Sequence, residues 1–252
     1  MVWPVVRRLG SSKLSDLFWW WTMWLRMASN AAWLAWVAVR AEADCYLAED
    51  LQSAWAALLA ARFRRRPVIY DAHELESEQG YGEEVRVQQS FLRSLERSIV
   101  PRVDRLVVPN KARASVYEQR YRVASEPAVI LNCPPASSAL DSNKLREVLG
   151  LAESVRIVLY HGALIAHRAL DNLVRSVTLF DEGIALVLIG EQSAYLQEVL
   201  IPLLSVERVE ERVHFLSYVR PDEIAPYVAS ADLGIVIYEN VNLNNYLCAP
   251  TK

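Results

Sequence analysis

Residues 68–75, VIYDAHEL, decide how the rest of the chain is read. Val68, Ile69 and Tyr70 are strand-formers, and the run stops abruptly at Asp71, His73 and Glu74. A short buried strand ending in protonatable side chains is how an open α/β sheet presents a site, because ligands bind outside the carboxyl ends of its strands. Three readings of the trio stand open. In the first it is a metal site, but the carboxylates surround a single His and no second His follows at the i+4 spacing of a zincin. In the second, His73 and Glu74 only hydrogen-bond neighbouring backbone. In the third, His73 is functional and faces a cleft.

Outward from this stretch the chain alternates. Strands are expected at 44–49, 67–70, 105–108 and 128–131, with helices at 51–65, 85–99 and 111–121 and a polar loop at 76–84. Pro134 and Pro135 then stop the pattern and open a small polar run to residue 143. After a short helix at 144–149 the alternation restarts. Strands are expected at 156–160, 184–189, 213–216 and 233–238, helices at 169–180, 193–204 and 221–230, and an asparagine-rich loop at 239–246. Strands alternating with helices of this length make βαβ units and parallel sheets. The fold class is α/β, with two Rossmann-like domains, 1–135 and 150–252, joined by a linker at 136–149.

Composition narrows the function classes. The chain has 252 residues, 53% hydrophobic and 23% charged, an ordinary globular profile. Its three cysteines are widely spaced, so neither a disulfide framework nor a zinc site is indicated and a reducing cytoplasm fits. The net charge of −3 argues against nucleic acid. Beneath it lies an asymmetry: residues 1–150 carry 20 Lys and Arg against 17 Asp and Glu, and residues 151–252 carry 7 against 13. The basic half also holds the eight tryptophans, six of them between positions 19 and 36. That pairing suits an anionic membrane surface.

Segment 17–39 is nearly continuous apolar sequence, long enough to span a bilayer. It is too long for a signal-peptide core. Against a spanning helix, Thr22, Arg26, Ser29 and Asn30 recur at helical spacing as one polar stripe, with an arginine that lipid disfavours. The remaining readings are an ordinary core helix and a helix whose tryptophans reach an interface.

A second constellation lies at 160–170, YHGALIAHRAL. Gly162 follows a strand, where backbone can approach a ligand with no Cβ in the way. Arg168 stands at an expected helix start. A glycine turn, a helix N-terminus and an arginine together suit a diphosphate, whose oxygens a guanidinium binds bidentately. His161 and His167 read as structural.

IYDAHEL, RVDRLVVPN, VILNCPP, VLYHGAL…HRALDNL, LVLIG, VHFLSYVRPDEIAPYVASADLGIVIY and NNYLCAPTK, in that order over about residues 44–252, resemble a family 4 (group 1) glycosyltransferase. The resemblance implies a GT-B architecture: two Rossmann-like domains across a cleft, no metal or other cofactor, and retaining transfer of a sugar from a UDP- or GDP-sugar to a glycan or lipid-linked acceptor. The reading that follows is a cytoplasmic enzyme of cell-surface polysaccharide synthesis; a place at the inner membrane face is a separate expectation that rests on the Trp-rich segment 17–39 and the basic N-terminal half. By the same resemblance His73 reaches the transferred sugar and Arg168 neutralises the diphosphate. Gly162 begins the phosphate-facing loop, Gly190 joins the donor side, and Leu216 and Ser217 lie near the nucleotide base.

The departures are equally specific. Ala169 stands where the family has a glycine after the cation, and Ala163 where a second cation is frequent. The family's Glu-x7-Glu segment is expected just after Pro250-Thr251-Lys252, and the first strand and glycine-rich loop before the Trp-rich segment. The sequence therefore resembles the middle of such an enzyme, both domains incomplete. A sugar-nucleotide epimerase of the same fold and an inactive fragment remain alternatives.

Overall fold

The computed structural model describes residues 13–80, 86–134 and 141–250. The chain divides into two units, Met1–Leu131 and Asn132–Lys252. The expected helix start at 85, residues 81–84 of the polar loop, residues 135–140 of the linker and the terminal Thr251-Lys252 lie outside the described residues.

In the first unit the order is α1 (Lys13–Arg40), β1 (Tyr46–Glu49), α2 (Asp50–Arg64), β2 (Val68–Asp71), α3 (Arg86–Ile99), β3 (Arg105–Val108), α4 (Lys111–Arg120) and β4 (Ala128–Val129). The four strands are parallel and lie side by side in chain order. Parallel crossovers are right-handed, so stepping always in one direction puts α2, α3 and α4 on one face of the sheet. Burial agrees. Tyr46, Ala48, Val68, Tyr70, Leu106 and Val108 point to that face and are buried, while Leu47 on the other is 58% exposed. α1 packs on α2; Ala35 of α1 and Ala54, Ala57, Ala60 and Ala61 of α2 are buried. Among the described residues no helix is long and apolar enough to cross a membrane.

The second unit begins with α5 (Lys144–Leu149) and continues β5 (Arg156–His161), α6 (Leu170–Ser176), β6 (Ile184–Ile189), α7 (Ile201–Glu207), β7 (Val213–Leu216), α8 (Ala225–Ala229), β8 (Leu233–Gly234) and α9 (Leu243–Tyr246). A single π turn, Leu196–Leu200, leads into α7. The sheet order is β7-β6-β5-β8, all parallel. Because β8 pairs on the far side of β5, the chain reverses direction and helices cover both faces. Val158, Tyr160, Leu186 and Leu188 pack against α6 and α7, and Ile157, Leu159, Val187 and Ile189 against α5 and α8.

Two expectations change. The stretch 144–149, read with the linker, is part of the second unit: Leu145 is fully buried, its N–H donates to Ser230 Oγ at 2.9 Å, and Arg146 pairs with Asp232 at 3.0 Å. The strand expected at 233–238 ladders only at Leu233–Gly234. After Ile235 donates to the Leu159 carbonyl the segment leaves the sheet, with Ile235 and Ile237 drawn onto the α6–α7 cluster.

Candidate active site

The second unit carries its polar groups where its topology predicts a site. The reversal between β5 and β8 is a topological switch point, and ligands of open α/β sheets bind outside the carboxyl ends at such points. There β5 hands the chain to Gly162, whose φ of 141° is open to glycine. The turn that follows is clamped from inside. Gly162 N donates to the Ile189 carbonyl at 2.9 Å, buried Leu164 anchors it, and Tyr160 Oη donates to the Ala163 carbonyl at 3.1 Å. Burial raises the Tyr160 hydroxyl's pKa above the usual phenol value and keeps it a donor.

Gly190 belongs to this clamp. A Cβ there would collide with the Gly162 carbonyl oxygen and lie 2.7 Å from Leu164 Cγ. It sits beside the turn as packing, and its N–H donates to the Leu216 carbonyl at 3.1 Å. Leu216 turns its side chain into the cluster beneath the sheet, so of the pair at the end of β7 only Ser217 is exposed.

Arg168 closes the turn. Its Cζ lies 3.8 Å over the centre of the Tyr238 ring, which fixes the guanidinium by a cation–π contact. Its Nη1 is buried with no hydrogen-bond partner among the described residues. A buried donor left unmet is costly, and here it stands at the carboxyl edge of the sheet. His167 Nδ1 meets Glu239 Oε2 at 3.0 Å, and Glu239 N donates to the His167 carbonyl at 3.2 Å, tying the turn to the segment that leaves β8. His167 and Ala169 both hold left-handed backbone, φ 68° and 49°. The glycine departure at 169 thus falls where glycine would be unstrained. α6 starts one residue later than expected and runs seven residues, so local positive charge comes from Arg168 rather than from a long helix dipole.

In the first unit, β2 ends at Asp71 and Ala72 N donates to the Val107 carbonyl at 2.9 Å. His73 follows with its side chain 43% exposed, and its Nε2 lies 3.5 Å from Asp71 Oδ2. Beneath it stands an arginine that the sequence did not single out. Arg113 in the first turn of α4 is 1% exposed, donates to the His73 carbonyl, and lies 3.4 Å from Glu74 Oε2. α4 is started there by Asn110, whose Oδ1 accepts from Arg113 N at 2.8 Å. Glu74 therefore shapes the loop, as a partner of Arg113.

The floor of this loop is acidic. Glu76 Oε1 accepts from Leu51 N at 2.9 Å, and burial pushes its carboxyl up to about 7. Asp50, at the β1–α2 junction with φ 60°, is also raised by burial, opposed by the nearby His73. Glu96 accepts from Tyr121 Oη and from Tyr117 Oη at 3.4 Å. Among the described residues no group of three His, Cys, Asp or Glu could hold a metal ion.

Arg113, Tyr238 and Glu239 reach their partners only through the fold. Arg113 meets its loop across 40 positions and Glu239 meets His167 across 72. Asn110, a helix-capping residue type ahead of α4, is the visible cue, and it marks the helix rather than the arginine.

Two parallel α/β units, each presenting polar groups at the carboxyl edge of its sheet, define the GT-B class. The chain belongs to Glycosyltransferase Family 4, whose sequence model matches residues 7–134. HepE of Anabaena, solved in complex with UDP, superposes with a TM-score of 0.64 at 21% identity over 81% of this chain and 55% of that one. The same protein in complex with UDP-glucose gives 0.64 at 21% over 82% and 56%. Sucrose-phosphate synthase of Thermosynechococcus elongatus gives 0.62 at 16% over 83% and 54%. This chain spans about half the length of those structures. No curated protein matches the sequence.

Proposed function

We propose that the chain acts as a retaining glycosyltransferase, taking a hexose from a UDP- or GDP-sugar and passing it to a glycan or lipid-linked acceptor during cell-surface polysaccharide synthesis in the cytoplasm. The buried, unmet Nη1 of Arg168 at the β5–β8 switch point carries this reading. When the bond from the anomeric carbon to the diphosphate oxygen breaks, the electron pair stays on the phosphate. A fixed guanidinium beside it stabilises that charge in the transition state. Tyr238 holds Arg168 in place before substrate arrives. The reading asks for no metal, because Arg168 supplies the positive charge. Gly162 and Ser217 offer backbone and hydroxyl to the donor, Gly190 and Leu216 shape the turn, and HepE, solved with UDP and with UDP-glucose, supports a uridine donor. His73, placed by Arg113 and flanked by Asp71, hydrogen-bonds the transferred sugar.

Turnover of UDP- and GDP-sugars, with product analysis, tests this. Free nucleotide and a new glycoside are expected; an epimerised nucleotide sugar overturns the reading. Arg168→Ala should lower kcat by about 10²–10³-fold, in line with loss of one preorganised charge donor, and weaken nucleotide binding. His73→Ala should lower kcat while nucleotide affinity holds; equal losses in both would remove His73 from the sugar.

A further inference from the structure

α1 and α2 pack on one another, Ala35 of α1 and Ala54, Ala57 and Ala60 of α2 being buried. Among the described side chains of the pair, several large apolar groups nevertheless face outward. Trp33 is 62% exposed, Trp36 56%, and Phe63 on the last turn of α2 73%. An ordinary core helix does the reverse, and exposed apolar surface of this extent marks an interaction site.

Charge identifies the partner. Residues 17–66 contain six arginines (Arg26, Arg40, Arg62, Arg64, Arg65, Arg66) against four acidic residues (Glu42, Asp44, Glu49, Asp50), of which Asp44 lies 3.5 Å from Arg66. The fold gathers five of them at one end, where Arg64 Nε donates to the Val39 carbonyl at 2.5 Å and ties the end of α2 to the end of α1. Arg40 lies 3.6 Å over the Trp36 ring, so cation and indole share one spot. Arg62, Phe63, Arg64, Arg65 and Arg66 are all exposed. Arg65 holds left-handed backbone, φ 56°, where glycine is the usual residue.

We infer that this end of α1–α2 docks on an anionic lipid surface, with Trp33, Trp36 and Phe63 entering the headgroup boundary and Arg40, Arg62, Arg65 and Arg66 meeting lipid phosphates. Indole and phenyl rings flanked by arginines suit that boundary, apolar on one side and charged on the other. The sequence placed the membrane surface on the Trp-rich segment 17–39 together with the basic N-terminal half; the structure sets the basic end of α2 beside the end of α1. The inference is independent of the donor site, and its test does not read activity.

The full chain should float with phosphatidylcholine vesicles containing phosphatidylglycerol at low salt. It should not float with pure phosphatidylcholine, and about 0.5 M salt should release it, since screening shortens the reach of surface charge. Arg62→Gln/Arg66→Gln should weaken binding about thirty-fold, at the usual contribution of a basic residue near such a surface. Trp33→Ala/Trp36→Ala should weaken it while leaving the salt response. Far-UV circular dichroism should match wild type for both variants. No flotation at low salt overturns the inference, as does binding that the arginine pair does not change. Self-association that the tryptophan pair abolishes, without vesicle binding, would assign the face to a second copy instead.

Discussion

The two sheets have the same number of strands and the same parallel sense, yet only the second buries both faces. β5 and β6 read RIVLYH and IALVLI, near-continuous apolar runs, and residues 157–160 and 185–189 are all buried. β1 reads YLAE, with buried and exposed residues in alternation. The cause is topological. In the second sheet β8 returns to the far side of β5, so the crossovers that follow lie on opposite faces and a switch point opens at the carboxyl edge. In the first, β1 to β4 step one way and their crossover helices share one face. Parallel sheets ordinarily have both faces covered. The difference explains why the second unit presents an arginine at a switch point, whereas the first presents His73 at a strand end with no reversal among its described strands.

Core truncations should separate the sheets most strongly. Leu159, 1% exposed in the middle of the second sheet, should cost about 2–5 kcal/mol when changed to Ala. Leu47, on the open face of the first, is 58% exposed and should cost no more than about 0.5 kcal/mol. Denaturant melts of both variants check this. A Leu47→Ala cost equal to that of Leu159→Ala would mean that the open face is covered in solution.

The next contrast is in pH. The first unit stores carboxyls whose pKa burial raises, Glu76 to about 7 and Asp50 and Glu96 in the same direction. A raised carboxyl binds its proton more tightly folded than unfolded. Its contribution is therefore present below the unfolded value and is lost as pH climbs through the folded one. The first unit should lose about 3 kcal/mol between pH 4.5 and pH 8 on account of Glu76, the equivalent of its shift at 1.36 kcal/mol per pH unit. Glu76→Gln, which keeps an acceptor for Leu51 N, should flatten that slope. Thermal melts across the range read it out, and an unchanged slope would place the proton elsewhere.

How much of this was legible in the sequence follows from the same contrast. The central second-unit strands announced themselves because two-sided burial writes continuous apolar runs, and 184–189 stands where expected; strands 213–216 and 105–108 also stand where expected, without such burial. β8 ran short because Ile235 and Ile237 satisfy the strand pattern while packing against α6 and α7 off the ladder. At the candidate site, Gly162 and Arg168 were readable as a turn and a cation next to a strand. Gly190 was readable only as a glycine. That it makes room for the Gly162 carbonyl is a tertiary fact with no local signal. Arg113 and Tyr238 were invisible for the same reason: an arginine in a helix and a tyrosine after a strand acquire meaning only from what the fold sets beside them.

The smallest effect is the most discriminating. α2 and α7 end alike, Arg65 and Arg208 each in left-handed backbone, φ 56° and 57°, with the following N–H reaching back to Ala61 and Leu204. Glycine at that position avoids a Cβ clash of about 1 kcal/mol. Arg65→Gly and Arg208→Gly should therefore each raise stability by up to about 1 kcal/mol, measured by denaturant midpoint. They should part on vesicles: Arg65→Gly loses a lipid-facing cation and binds anionic vesicles about fivefold more weakly, whereas Arg208→Gly binds as wild type. If both variants gain stability and both keep vesicle binding, the arginine at 65 has no lipid to answer to, and the basic end of α2 is a solvated helix terminus like that of α7.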